Sequence, residues 1–313
     1  GAYVAALSTH HKESGICIGM NPYQDWGSLR RKFEAVSDLM WDGDFTGFDT
    51  NQQPGLLWCL CDEINAWYSA RGDAANNEVR KILFMDLVHS RHLASVSGVA
   101  NHVTQWQKSL PSGHFLTSTV NSMLSMTLLV DTFNATTGLT GQFWNYCSAA
   151  VLGDDNLCCT KPEVVGQFNQ VTTAKHMWDK YHYVYTAGRK GEELKPFMGI
   201  EDVTFLQRSF RKKETTMHGV KRVVDVCPIR PESFLTSMYY VKSSGDPTYY
   251  KKVLASSLEN ALEELSMHTE EMWAKVSPIL VNQKQRLQLD VELDVTDSSQ
   301  YLQRVLERVP VWL

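Results

Sequence analysis

The sequence predicts an α+β fold, on three observations. Apolar runs of strand length flank turn residues over 149–159, and alternation over 93–107 around Gly98 reads as a second hairpin. Apolar residues recur at helical spacing at Leu57, Leu60, Ile64 and Trp67. After Pro228 and Pro231 the pattern becomes helical, which places a boundary near residue 228.

Residues 3–18 mix apolar and basic groups without a clear period. Asn21-Pro22-Tyr23-Gln24-Asp25-Trp26-Gly27 predicts a turn, followed by a helix over 28–37. A short strand ending in acid is expected over 39–45, then helices over 56–70 and 76–89. Pro111-Ser112-Gly113 breaks the chain before a helix over 116–133. The hairpin over 149–159 follows, with Gly153 permitting the tight bend because it lacks a Cβ. A helix is expected over 163–180, a strand over 182–185, and further short strands over 203–210 and 217–226. Helices near 233–241, 249–266 and 269–280 precede an acidic, weakly patterned tail after Asn282.

With 313 residues, 43% of them hydrophobic, the chain can bury a sizeable core as one large domain or two packed subdomains. A net charge of −5 gives no global nucleic-acid footprint. The seven cysteines form no C-x-x-C pair, so reduced core thiols in a reducing, intracellular compartment are expected. The adjacent His10 and His11 are more simply surface residues than a metal pair. No signal peptide or membrane span is evident: the longest uncharged stretch, over 109–130, holds Pro111, Gly113, Asn121 and many hydroxyls. Gly1 in place of Met points to a processed product or fragment.

Three short pieces carry chemistry. Asp44 ends a strand and Asp49 follows five residues on. In the segment from Ser112 to Ser122, Thr117 and Asn121 stand at i and i+4, on one helix face. Gly153-Asp154-Asp155 tips the hairpin, where paired carboxylates are costly unless exposed or neutralised by a cation. Taken singly, each has a structural explanation: Asp44 and Asp49 as cap or turn acids, Thr117 and Asn121 as bonded core polars, Gly-Asp-Asp as an ordinary turn.

Their order and spacing, Asp-x4-Asp, Ser-Gly-x3-Thr-x3-Asn-Ser and Gly-Asp-Asp, resemble motifs A, B and C of viral RNA-directed RNA polymerases, especially those of picorna-like viruses. Ile18-Gly19-Met20-Asn21-Pro22 with Trp26 resembles the lead-in to motif A, and the segment from Val203 to Phe210 resembles motif E. Ala261 to His268 with Trp273 resembles the thumb helices of dicistrovirus-like and marnavirus-like polymerases. The resemblance covers roughly residues 1 to 282. It implies a right-hand polymerase palm, an antiparallel sheet with flanking helices, followed by a helical thumb. The implied division is 1–38 for the end of the fingers and the lead-in, 39–227 for the palm with an inserted fingers segment, and 228–313 for the thumb and tail.

The resemblance further implies template-directed nucleotidyl transfer with Mg²⁺ or Mn²⁺. Asp44 and Asp154 match the metal ligands, and Asp155 matches a supporting acid. Asp49, Thr117 and Asn121 match the ribose-recognition set; a carboxylate and an amide suit the 2′-hydroxyl that distinguishes RNA precursors. Ser112 and Gly113 match the flexible template loop, Arg208 a primer-phosphate contact, and Lys190 the lysine that protonates pyrophosphate. Template and nascent RNA, ribonucleoside triphosphates, a protein primer and other viral replication proteins are the implied partners. A polyprotein precursor and membrane-associated replication complexes in the host cytoplasm are implied with them. Leu152 stands where picornaviral polymerases usually carry Tyr, and Gln207 where they often carry Lys. The basic motif F and motif G are absent, so this stretch alone is expected to be weakly active or inactive. The alternatives are a reverse-transcriptase-like polymerase, a non-catalytic RNA-binding remnant and, more remotely, a metal hydrolase.

Overall fold

The computed structural model describes residues 1–96, 99–236, 246–293 and 295–308. In chain order the elements are α1 (Ala2–Thr9), α2 (His11–Ser14), α3 (Pro22–Glu34), β1 (Met40–Phe45), α4 (Phe48–Asn51), α5 (Pro54–Ser69), α6 (Asn77–Val88), β2 (Arg91–Val96) and β3 (Val99–Gln105). There follow α7 (Thr117–Thr137), α8 (Phe143–Tyr146), β4 (Cys147–Leu152), β5 (Asp155–Thr160), α9 (Gln170–His176) and β6 (Tyr185–Thr186). Last come β7 (Thr204–Phe205), β8 (Arg208–Ser209), β9 (Arg211–Met217), β10 (Val220–Val226), α10 (Pro231–Thr236), α11 (Pro247–Leu265), α12 (Glu270–Leu287) and α13 (Ser298–Glu307). The mixture of helices with antiparallel strands is the expected α+β class. The chain forms two compact units, 1–20 with 32–199, and 21–31 with 200–313. The functional boundary expected near 228 falls inside the second.

The first unit is built on a four-stranded sheet of order β4-β5-β1-β6, antiparallel at every pairing. Along β1, side chains alternate between faces. Trp41 and Phe45 enter the core, while Asp42 and Asp44 take the other side. The core also holds Ala149, Val151 and Cys158 from the sheet and Val120, Leu124 and Leu128 from α7. A fully buried side chain of this size contributes about 1.5–3 kcal/mol, so this packing sets the position of α7 against the strands. The hydroxyls of α7 are accommodated by bonding back to the preceding turn: Thr132 Oγ1 donates to the Leu128 carbonyl at 2.8 Å and Ser122 Oγ to that of Ser118 at 2.6 Å. The outer edge of β4 is covered by chain from the N-terminal segment. The Cys17 N–H donates to the Val151 carbonyl, and the Val151 N–H to the Gly15 carbonyl, both at 2.8 Å.

Within the second unit, Trp26 stacks on Phe205 and Phe210. A separate apolar cluster joins Leu258, Leu262 and Leu265 of α11, Trp273 and Leu280 of α12, and Tyr301 of α13. Helix starts here follow side-chain caps: Asp246 accepts from the Thr248 N–H, Thr269 from Met272 and Asp297 from Ser299.

Several expectations need correcting. The turn expected at 21–27 is helical, because Asn21 caps the Tyr23 N–H and Pro22 takes the first-turn place where its missing N–H costs nothing. A helix, α1, occupies part of the unpatterned 3–18. The single helix expected over 163–180 is a turn region followed by α9 and a π-helical turn, Met177–Tyr181; Asn169 and Thr172 form a capping box that starts α9 seven residues late. The strands expected over 203–210 and 217–226 become two hairpins, β7–β8 and β9–β10. The tail after Asn282 extends α12 and adds α13. The Gly98 turn and the end of the helix expected over 233–241 lie outside the described residues.

Candidate active site

β1 pairs with β5 so that Gly43 faces Asn156. One antiparallel step further sets Asp44 level with Asp155, at the end of the sheet where β4 turns into β5. That turn has two residues, Gly153 and Asp154, with Gly153 at φ +66°, the left-handed first position a II′-type hairpin turn demands. Asp44, Asp154 and Asp155 are all half-buried. Burial pushes the Asp154 carboxyl above its ordinary value, and the Asp44 and Asp49 carboxylates push it further. The site therefore concentrates negative charge that a cation would relieve.

Among the described residues no group of three or more His, Cys, Asp or Glu side chains is arranged to hold a metal ion. The donors at this turn are carboxylate oxygens alone. That set fits Mg²⁺, which commonly takes one or two carboxylates and completes its shell with phosphate and water oxygens, and it does not resemble a nitrogen–sulfur zinc cage.

Asp154 also lines a cavity of about 490 Å³ with Asp49, Ser112, Thr117 and Asn121. Asp49 sits in α4, just beyond β1. Its two carboxylate oxygens accept separately, one from Asn121 Nδ2 and one from Ser112 Oγ. The Leu110 N–H bonds the Asp49 carbonyl at 2.8 Å, tying the loop before α7 to α4. Thr117 Oγ1 donates within that loop, to the Pro111 and His114 carbonyls, each at 2.7 Å. The structure thus brings Asp49, Thr117, Asn121 and Ser112 to one cavity with Asp154. Gly113 is exposed in the adjoining loop.

Two residues outside the expected set hold the acid turn. Ser122, fully buried on α7, accepts the Gly153 N–H at 2.8 Å. Asn156, fully buried on β5, donates through Nδ2 to the Asp154 carbonyl at 3.0 Å and accepts the Tyr185 hydroxyl at 2.6 Å. Gly43 makes room for that phenol, since a Cβ there would lie 1.8 Å from Tyr185 Oη. A serine directly after Asn121 and an asparagine directly after Gly-Asp-Asp were visible in the sequence; their targets were not, because both bonds depend on how α7 lies across the sheet.

Two expected site residues are not among those lining the cavity. Lys190 is exposed in the turn after β6 and does not line the cavity. Arg208 belongs to the second unit, where its guanidinium forks onto Glu264 at 2.7 and 2.9 Å and bonds the Cys227 carbonyl at 2.8 Å. Its guanidinium is engaged in that buried pair.

An antiparallel sheet with acids at one end, faced by a helix that holds a further aspartate, is the architecture of a palm-type polymerase. The Sicinivirus 3Dpol RNA-dependent RNA polymerase shares this fold, with a TM-score of 0.70 at 16% identity over 93% of this chain and 56% of that one. Residues 2–284 match the family described as viral RNA-dependent RNA polymerase, and the chain belongs to that family. It is 28% identical to the replicase polyprotein of acute bee paralysis virus over 96% of its length, 24% to the genome polyprotein of rice tungro spherical virus over 86%, and 22% to the replicase polyprotein of cricket paralysis virus over 88%. It spans 16%, 8% and 16% of those polyproteins.

Proposed function

We propose that the chain carries the catalytic site of an RNA-directed RNA polymerase that replicates a picorna-like viral genome. The observation that carries this reading is the Asp49 carboxylate, held by Asn121 and Ser112 at the wall of the cavity that Asp154 also lines. A carboxylate offers about four lone-pair sites. With one bond on each oxygen, Asp49 keeps capacity to accept a ribose 2′-hydroxyl, which orients a ribonucleoside triphosphate over the acid turn. Mg²⁺ or Mn²⁺ held by Asp44 and Asp154, with Asp155 in support, would activate a primer 3′-hydroxyl and neutralise the departing pyrophosphate.

Thr117 stiffens the loop carrying Ser112 and Gly113, and that exposed loop would follow the template base. Lys190, exposed after β6, would donate the proton that pyrophosphate takes on leaving. Template RNA, nascent RNA and ribonucleoside triphosphates are the substrates; a protein primer, companion viral replication proteins and membrane-associated sites in the host cytoplasm complete the proposal. No helix of the described residues is long and apolar enough to cross a membrane.

The test is primer extension by the chain joined to its upstream coding sequence, compared with its Asp154→Ala variant. Ribonucleotide incorporation by the wild type and none by the variant is expected, with the 313-residue chain alone nearly inactive. Equal extension by Asp154→Ala, or a preference for deoxyribonucleotides, overturns the reading.

A further inference from the structure

Behind Asp49 the hydrogen bonds continue inward. Asn121 Oδ1 accepts from Gln52 Nε2 at 2.9 Å, and Gln52 Oε1 accepts from the Tyr183 hydroxyl at 3.1 Å. Gln52 has no exposed surface, Asn121 is 4% exposed and Tyr183 1%. We infer that Gln52 and Tyr183 are positioning residues for sugar selection: a buried relay, Tyr183 to Gln52 to Asn121, aims Asp49 so that it reads the ribose 2′-hydroxyl.

The direction of every bond in the relay follows from its outer end. An ionised Asp49 can only accept, so Asn121 must turn its amide nitrogen toward it. The Asn121 oxygen then faces inward and needs a donor, which Gln52 supplies through its own nitrogen. The Gln52 oxygen is left facing a third group, and only a donor satisfies it there; Tyr183 is that donor. Each amide thus has one orientation that satisfies the chain, and reversing either buries an unpaired polar group or sets an oxygen against a carboxylate. Burial pushes the Tyr183 phenol up to about 12, so it remains protonated through the working range. Its ring is fixed independently of the hydroxyl by edge contact with Phe45 and tilted contact with Phe48. Phe48 adjoins Asp49, and Gln52 caps the end of the same short helix, so the relay and the acid share one backbone frame.

This inference rests on the proposed ribonucleotide site, and the test separates the two. Calorimetric titration of the chain joined to its upstream coding sequence with Mg²⁺–ATP and Mg²⁺–dATP gives the affinity ratio for the two sugars. Tyr183→Phe keeps the ring and removes the relay's last donor, together with an acceptor for the Gln53 N–H. Loss of about one hydrogen bond from the ribose-reading geometry lowers the ATP-to-dATP ratio about fivefold, with dATP affinity unchanged. Gln52→Met, similar in length and without hydrogen-bonding groups, lowers it in the same sense. A merely structural role would weaken both nucleotides equally. Wild-type discrimination retained in both variants, or equal losses for the two sugars, overturns the relay alone. A wild type that binds ATP and dATP alike overturns the ribonucleotide site, and the relay with it.

Discussion

Ser122 and Ser125 lie three residues apart on α7, both without exposed surface, and they provide a matched test of how the acid turn is held. Ser122 Oγ accepts the Gly153 N–H at 2.8 Å, whereas Ser125 Oγ has no hydrogen-bond partner among the described residues. Ser122→Ala removes that acceptor; the Ser118 carbonyl keeps its ordinary helical bond. A buried donor left unpaired costs about 1–3 kcal/mol, and because Gly153 is half-buried, water recovers part of it, leaving a loss near 1 kcal/mol. That corresponds to a fall of about 2–4 °C in Tm for a domain of this size. Ser125→Ala makes the same chemical change and costs nothing, since its hydroxyl is already unpaired. The larger effect is expected on rate: a reacting group misplaced by about 1 Å can lose about 100-fold, so Ser122→Ala should slow single-nucleotide addition at least tenfold on a preformed primer–template. Thermal melts and rapid-quench incorporation, run on both variants within the polymerase that includes the upstream coding sequence, check this. Equal behaviour of the two variants in both assays refutes the argument, and a Tm loss without a rate loss reduces Ser122 to a structural role.

Gly43→Ala drives a methyl into the Tyr185 phenol and breaks its bond to Asn156, which should cost about 3 kcal/mol in urea unfolding; a loss under about 1 kcal/mol would show that the ring has room to move. The Asp131 carboxylate accepts from Lys180, His176 and Tyr181. Burial pushes its pKa up, but those three donors outweigh burial and hold it below the ordinary value. Its stabilisation is therefore present above the ordinary Asp pKa, about 3.9, and is lost as pH falls through the depressed folded value. Asp131→Asn should be less stable at pH 7 by on the order of 2 kcal/mol and no less stable at pH 2, measured by urea unfolding at each pH. Arg208→Ala leaves the buried Glu264 without its cation, with only the Tyr23 hydroxyl still donating to it, and should cost about 3–5 kcal/mol in denaturant unfolding; unchanged stability would mean that the guanidinium is free for another role.

The parts of this fold that were legible in the sequence are those where one local rule acts unopposed. β1 and the β4–β5 hairpin arise from apolar runs ending at acids and a glycine, and α5 and α6 from helical spacing. Asn21-Pro22 misled because the same pair serves a turn and a helix start, and the residues C-terminal to it decide between them. β7–β8 was hidden because its turn uses Leu206 and Gln207, both at positive φ, where glycine or asparagine would have announced it. The acids of the site were found through motif order, since no periodicity links Asp49 to Asn121, 72 residues away. Nothing in the sequence singles out Gln52 beside Gln53 and Pro54. Its importance arises only when α7 packs against α4 and leaves an amide oxygen that something must satisfy.

The strap of chain across β4 has a consequence for handling the protein. Open strand edges recruit other chains, and Cys147-Ser148-Ala149-Ala150-Val151-Leu152 is an uncharged, apolar, proline-free strand of the kind that does so readily. The backbone bonds of Gly15 and Cys17 to Val151 occupy part of that edge. A version trimmed to begin at residue 21 would keep every acid of the site and yet expose a template for self-association. Such a version should form aggregates rich in intermolecular β-structure at concentrations where the longer chain stays dispersed.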